Sequence, residues 1–532
     1  MHSAYLHGID PDDLSSGARM VAPPPQDFTG TTGDDKFTGT SGDDFFDMSQ
    51  GGNDIVKGKG GNDQIDFGAA FNAHDKIDGG AGIDTLYLTG DYSSGVSFGA
   101  KTVVGIEYFN LLGSTFGGSS YNLTLTDDTA GSFLNVVLNS NSTKSDSLWF
   151  DDRAETSADI FVQNTAAGAD HIWTGGGNDY VATGRISSGD VYDGGAGYDT
   201  VSFGTANFAV TFSLLDQSSA HDVGGGRIVT IGNFEAIGGS SLGDNLTGDD
   251  NANAIRSGGG DDTIHAGGGN DLVWIDDFNG YTAIVADGGG GNDTLSFEPA
   301  EFDGVNFSLA LQGSAQATGQ GEGTMTATGF ENLEGTFFAD HLTGDDGANT
   351  ILGFWDADTM DGGAGDDVLY GDAFYTRHYT DIGQTGYDGT FVIVEDEIGF
   401  ADTLNGGSGK DKLIGGLGAD TLTGGSEADK FVYVSTQDSA PGASHRDVIA
   451  DFSHGEQDKI DLHLIDADTT QAHDQAFHLG GASFTHSAGE LIQFSDGSGN
   501  TIVAGDVNGD GQADFEIQLT GAHTLVAGDF VL

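Results

Sequence analysis

The chain has 532 residues, 90 of them glycine and none cysteine, and its 17 basic side chains face 83 acidic ones for a formal net charge of −66. That balance excludes a nucleic-acid surface, which needs clustered lysine and arginine, and an unaided anionic membrane surface; it also leaves no disulfides and no thiolate metal sites. Divalent cations are the natural counter-charge, and the length points to several domains or one long repeat array.

Residues 1–28 are polar and carry Pro23-Pro24-Pro25, the composition of a disordered leader. The opening MHSAYLHGIDPDDLSSG lacks a basic region followed by an apolar core, so no Sec-type signal peptide is expected, and no run is long enough for a transmembrane segment. A first repeat block fills 29–86, with Asp35, Asp44, Asp54, Asp63, Asp75 and Asp84 at steps of nine residues apart from two small insertions. Residues 87–165 break the pattern. They alternate apolar and polar residues, as in Tyr121-Asn-Leu-Thr-Leu-Thr126 and Asn135-Val-Val-Leu-Asn139, which predicts a β-rich insert.

Blocks two and three, with a β insert between them, occupy 166–295: Asp170, Asp179, Asp190 and Asp199, then Asp244, Asn253, Asp262 and Asp271, with Asp293 after a further insert. Residues 296–372 hold a β insert and block four, with Asp340, Asn349, Asp358 and Asp367. Residues 373–401 are a long insert with Phe374, Tyr375, Tyr379, Tyr387 and Phe391, either a surface excursion or a ligand patch. Block five, 402–431, is the most regular, with Asp402, Asp411, Asp420 and Asp429. Each of these positions is followed two places on by an apolar residue, from Phe37 to Phe431. Periodicity of that kind is the primary structural signal.

A larger repeat encloses the small one. Residues 199–273 and 293–369 share D-T-[VL]-S-F, a strand-rich insert, an aromatic-Glu pair (Phe234-Glu235, Phe330-Glu331) and a four-step register; Asp84 to Glu107 holds a weaker copy. Tandem duplication of stacked units is what a solenoid needs.

Glycine loops such as Gly406-Gly407-Ser408-Gly409 precede the best-formed aspartates, giving the nonapeptide G-G-x-G-x-D-x-U-x. Three residues of it make a strand and six a turn, whose backbone angles favour glycine. Two nonapeptides make one coil of about eighteen residues with the U side chains inside, a parallel β-helix that binds Ca²⁺. Carboxylates and turn carbonyls supply the hard oxygens that Ca²⁺ takes, about six to eight per ion. The expected ligands are Asp35, Asp44, Asp54, Asp63, Asp84, Asp170, Asp179, Asp199, Asp262, Asp271, Asp293, Asp358, Asp367, Asp411, Asp420 and Asp429. Asp75, Asp190, Asp244, Asp340 and Asp402 enter without a full glycine loop and are candidates for caps, and Asn253 and Asn349 are neutral spacers.

These repeats resemble the repeats-in-toxin (RTX) family of secreted bacterial proteins. Residues 432–532, with Asp447-Val-Ile-Ala-Asp451-Phe452, Asp458-Lys459-Ile460-Asp461-Leu462 and the ending Asp529-Phe530-Val531-Leu532, resemble the C-terminal domain of serralysin-type metalloproteases. The resemblance implies an all-β chain: a parallel β-roll with strand inserts and a β-rich secretion domain. It also implies an uncleaved C-terminal signal read by a type I secretion channel, unfolded export from a low-calcium cytoplasm, and folding by Ca²⁺ outside the cell or at its surface.

The protease half of that family is missing, because no H-E-x-x-H occurs. His473 and His478 stand five apart, off the zinc-helix spacing. G-x-S-x-G at Gly95–Gly99 and Gly239–Gly243 has no strand-to-helix elbow, and no phosphate loop is present. Asp506, Asn508, Asp510 and Asp514 match positions 1, 3, 5 and 9 of an EF-hand loop, but Ile517 stands where the bidentate Glu belongs, leaving a Ca²⁺ loop or a polar β-turn. The expectation is a non-catalytic surface, matrix or adhesin-like protein with a cell-surface glycan or another protein as partner. The alternatives are a secreted enzyme of the protease, lipase or alginate epimerase kind, or a surface-layer component.

Overall fold

The computed structural model describes residues 25–98, 102–113, 119–125, 133–139, 146–164, 167–276, 283–298, 303–319, 323–372, 399–471 and 473–532. Most of the expected leader, through residue 24, and the aromatic residues Phe374, Tyr375, Tyr379, Tyr387 and Phe391 lie outside the described residues. Among those described there is no α-helix, only strands and short 3₁₀ turns.

The nonapeptides of block five show why the chain coils. Strands Thr403–Ser408 and Thr421–Ser426 lie on one face, and Lys412–Ile414 and Lys430–Val432 on the other. Leu404 pairs with Leu422 and Leu413 with Phe431, so two nonapeptides close one coil. The apolar residue after each register position points inward. From Phe46 and Val56 to Leu422 and Phe431 these side chains are at most 1% exposed, while Phe37, in an outermost coil, packs partly against the core. Each buried Leu, Ile or Phe contributes about 1.5–3 kcal/mol of transfer free energy.

One face is a single 20-stranded sheet, parallel throughout, from Asp27–Thr29 to Phe530–Val531. The other face is divided into sheets of 4, 7, 5 and 10 strands.

The described residues of 87–165, expected as an insert, are coils of the same solenoid. Tyr108–Leu112 pairs in parallel with Thr85–Thr89 and with Phe133–Asn139, and Ser120–Thr124 pairs with Ser147–Asp151. The inward column Leu86, Phe109, Val136, Val162, Val181, Val201 crosses this region without a break. The duplicated units share one device: the side chain of Gln217 bonds both the N–H and the carbonyl of Phe234, and Gln312 does the same for Phe330.

Residues 432–532 extend both faces. Lys459–Asp461 and Phe530–Val531 continue the long sheet, and Val448–Ile449 and Phe515–Leu519 continue the other. Antiparallel strands Glu490–Ser495 and Thr501–Asp506 then cover the edge that the parallel array leaves open.

Candidate metal centres

The register aspartate serves two coils at once. Its main-chain N–H donates to Oδ1 of the register carboxylate one coil further on. Asp44 donates to Asp63, Asp63 to Asp84, Asp179 to Asp199, Asp367 to Asp411 and Asp411 to Asp429, at 2.7 to 3.0 Å. Where the glycine loop is absent, a longer side chain completes the ladder: Asp84, Asp199 and Asp293 donate to Oε2 of Glu107, Glu235 and Glu331, each at 2.8 Å.

With Oδ1 so occupied, Oδ2 is turned into the corner. In Asp63, Asp84, Asp170, Asp179, Asp199, Asp262, Asp271, Asp293, Asp358, Asp367, Asp402, Asp411, Asp420 and Asp429 it is buried with no hydrogen-bond partner. The first glycine of the loop shows what that oxygen faces. A Cβ on Gly58 would stand 1.9 Å from Asp63 Oδ2 and 2.3 Å from the Gly79 carbonyl oxygen. On Gly362 it would stand 2.5 Å from Asp367 Oδ2 and 2.6 Å from the Gly406 carbonyl oxygen. Two hard oxygens of successive coils thus lie close together beside the glycine, the kind of donor that Ca²⁺ takes. Among the described residues no group of three or more carboxylate or imidazole side chains is placed to hold a metal.

A second set of register positions is closed by the protein itself. Oδ2 of Asp44 accepts from Thr40 N–H at 2.6 Å, and that of Asp244 from Ser240 N–H at 2.5 Å. Asp35, Asp75, Asp190 and Asp340 accept in the same way from Thr31, Asn72, Ser187 and Thr336. Asn253 and Asn349 accept through Oδ1 from Asp249 and Asp345. Asp54 accepts from Asp35 N–H through Oδ1 at 2.8 Å. Asp402 belongs with the open corners, because its partner glycine is Gly371, on the far side of residues 373–398: a Cβ there would stand 2.1 Å from Asp402 Oδ2 and 2.4 Å from the Gly415 carbonyl oxygen.

Burial of the open carboxylates pushes their pKa values up, and neighbouring carboxylates add to the rise. Asp84, Asp293, Asp367 and Asp411 reach about 6, Asp170, Asp179, Asp271 and Asp429 about 7, and Asp199, Asp262 and Asp402 about 8. Stacked carboxylates that resist ionisation together are a row in want of cations.

The loop after Thr501–Asp506 is built differently. Asp506 accepts from the N–H groups of Asn508, Gly509 and Gly511, and Asp514 from Val507 N–H and the Asn508 side chain. Asp510 accepts from Gln512 N–H. The loop joins two antiparallel strands rather than two helices, and its carboxylates serve as turn acceptors.

The ladder also contains residues beyond the nonapeptide blocks. Asp146 accepts from Ser119 N–H, Asp447 from Asp420 N–H at 2.9 Å and Asp458 from Asp429 N–H at 3.2 Å. Asp146 and Asp447 keep a buried Oδ2 without a partner, and Asp438 an Oδ1. A usable signal was present, since Leu148, Ile449 and Ile460 stand two places after Asp146, Asp447 and Asp458.

This geometry defines a parallel β-roll of acidic corners built for hard cations. RTX calcium-binding nonapeptide repeats match residues 27–51, 48–72, 70–90 and 164–185. The peptidase M10 serralysin C terminal family matches residues 187–532, well over half of the chain, and the chain belongs to that family. No curated protein matches the chain. Among solved structures, the AlgE6R3 subunit from the Azotobacter vinelandii mannuronan C5-epimerase is similar, at 25% identity over 36% of this chain and 77% of that one, with a TM-score of 0.21. The repeats bind Ca²⁺, several ions to the chain. Together with the serralysin-type region they indicate a type I secreted protein. Among the described residues no helix is long and apolar enough to cross a membrane.

Proposed function

We propose that this is a calcium-folded protein exported by type I machinery, whose folded roll serves outside the cell or at its surface as a non-catalytic matrix or adhesin-like element. The observation that carries the reading is the row of buried Oδ2 atoms without partners; those of Asp63, Asp84, Asp199, Asp293, Asp358, Asp367, Asp402 and Asp411 each lie beside a carbonyl of the next coil. Leaving one such charge buried and uncompensated costs several kcal/mol, so the row is unfavourable without cations.

The open corners, from Asp63 to Asp429, hold the ions; Asp35 and Asp44 act as caps on their own turns, and the Asp506 loop as a hairpin turn. An ion present at ten times its Kd adds about 1.4 kcal/mol to the folded state, so roughly ten open corners decide between coil and roll. Circular dichroism in EGTA and then in CaCl₂ tests this, and equal β content in both would overturn it.

A glycan partner is supported by one patch. Trp149, 43% exposed, stacks on His171 at 4.5 Å, and Trp173 beside them carries Arg153 over its ring at 4.8 Å. Such flat faces bind through area and polarisation without chemistry. Binding to cell and glycan arrays that is lost in Trp149→Ala supports an adhesin. Turnover of casein, lipid esters or alginate by the secreted protein would replace this reading with an enzyme.

A further inference from the structure

The corner between strands Ser147–Asp151 and Asp159–Asn164 lies outside every matched repeat. It has no glycine, and it is longer than the corner Thr174–Asp179 that stacks on it. Asp152 N–H donates to the Trp173 carbonyl, Thr174 N–H to that of Asp193 and Gly194 N–H to that of Gly232, so Asp152, Thr174 and Gly194 occupy the same place in successive coils. At Gly194 a Cβ would stand 2.7 Å from Asp199 Oδ2 and 2.2 Å from the Asn233 carbonyl oxygen. Asp152 therefore carries a carboxylate at the place where the glycine corners carry no side chain. It is fully buried, and neither of its side-chain oxygens has a partner.

Three residues on, Glu155 repeats the division of labour of a register aspartate. Its Oε1 accepts from the N–H groups of Thr156, Ser157 and Ala158 at 2.9, 3.1 and 3.3 Å, and its Oε2 is buried without a partner. In the next coil Asp179 holds Ile160 N–H through Oδ1 and leaves Oδ2 free. The carbonyl oxygens of Asp152 and Glu155 both face Gly175, 2.4 and 3.0 Å from where its Cβ would be. The nearby cation is turned away, since Arg153 pairs with Asp151 at 2.6 Å on the outer face. Burial first, then Glu155 and Asp179, push the Asp152 carboxyl up to about 9. A buried carboxylate with neither donors nor a counter-ion, Asp152, beside the unpartnered Oε2 of Glu155, is the signature of an oxygen-rich cation site.

We propose that Asp152 and Glu155, with carbonyl oxygens of their own corner, form a Ca²⁺ site of non-repeat sequence. The inference rests on the calcium-loaded reading of the roll. Asp152 supplies from the glycine position what the register aspartate supplies elsewhere, and Glu155 stands in for that aspartate in a lengthened turn.

Bound Ca²⁺ is counted per chain, by equilibrium dialysis with metal analysis, in the full-length protein, in Asp152→Asn/Glu155→Gln and in the repeat-site control Asp411→Asn. Both variants are expected to bind one ion fewer than the parent. Terbium titration adds a local readout: emission sensitised by Trp173, which adjoins Asp152, falls at least tenfold in the double variant and stays in Asp411→Asn. Glu155→Gln alone, the milder change should the double variant fail to fold, weakens one ion's affinity about tenfold. A parent that binds calcium, beside a double variant or Glu155→Gln with unchanged count and affinity, overturns this site while the general reading stands. A parent that binds none overturns both.

Discussion

Asp411→Asn separates the two jobs of a register aspartate. Asp411 Oδ1 accepts from Asp367 N–H at 2.8 Å, and Oδ2 is buried without a partner. An asparagine keeps the first bond and turns its amide N–H towards the Gly424 carbonyl, which lies across the same gap: a Cβ on Gly406 would stand 2.4 Å from Oδ2 and 2.7 Å from that oxygen. Without calcium the substitution removes a charge whose pKa burial has raised from 3.8 to about 6. That shift corresponds to at most about 3 kcal/mol at neutral pH, now in favour of the roll. With calcium it removes a ligand, costing about 1.4 kcal/mol at ten times Kd and about 4 kcal/mol at a thousand times. The effects have opposite sign. Far-UV circular dichroism is expected to show Asp411→Asn melting below the parent in saturating Ca²⁺ and holding more β structure than the parent in EGTA. Equal loss in both conditions would refute the argument, because the aspartate would then be a structural hydrogen-bonder alone.

Acid should partly replace calcium. A carboxyl whose folded pKa lies above its unfolded value favours folding while protonated, so that stability is full below about pH 4 and is lost as pH rises through the folded values. For Asp84 and Asp367 at about 6, and Asp199 and Asp402 at about 8, the metal-free roll loses stability between about pH 4 and 8, and a dichroism titration in EGTA that gained β content with pH would contradict this. Gly406→Ala keeps an allowed φ but sets a Cβ 2.4 Å from Asp411 Oδ2 and 2.7 Å from the Gly424 carbonyl oxygen, so the corner must shift, and it is expected to remove one ion by calorimetry. Gly407→Ala, at φ +104, adds the strain of a left-handed residue and should cost about 1 kcal/mol or more besides. Asp506→Ala takes an acceptor from three N–H groups and should cost about 1–3 kcal/mol while the ion count stays constant; one ion fewer would place calcium in that hairpin.

The core was legible in the sequence to an unusual depth, because one residue type at one spacing encodes it. A coil needs an inward apolar residue in each strand, and the residues two places after Asp63, Asp199 and Asp411 supply it: Ile65, Val201 and Leu413 are all fully buried. What the sequence hid was coil without glycine. Residues 87–165 looked like an insert because glycine loops mark ion corners, and a coil can close its corner by other means, such as Glu107 beneath Asp84. Residues 432–532 looked separate for a similar reason, although Asp447 and Asp458 carry the ladder on. The split between open and capped corners lay in the second loop position. Thr40, Ser240 and Thr336 stand there, and each donates its N–H to the carboxylate oxygen that an open corner leaves free.

The corner at Asp402 shows how a solenoid of this kind can carry foreign sequence. Gly416 stacks on Asp372, Leu417 on Gly399 and Gly418 on Phe400. Gly371, Asp372, Gly399, Phe400, Ala401 and Asp402 therefore trace one uninterrupted six-residue turn, with residues 373–398 spliced between its second and third positions. Joining Asp372 directly to Gly399 would write an ordinary repeat, so this point is a ready-made port where an unrelated peptide can be exchanged while the scaffold on either side keeps its shape.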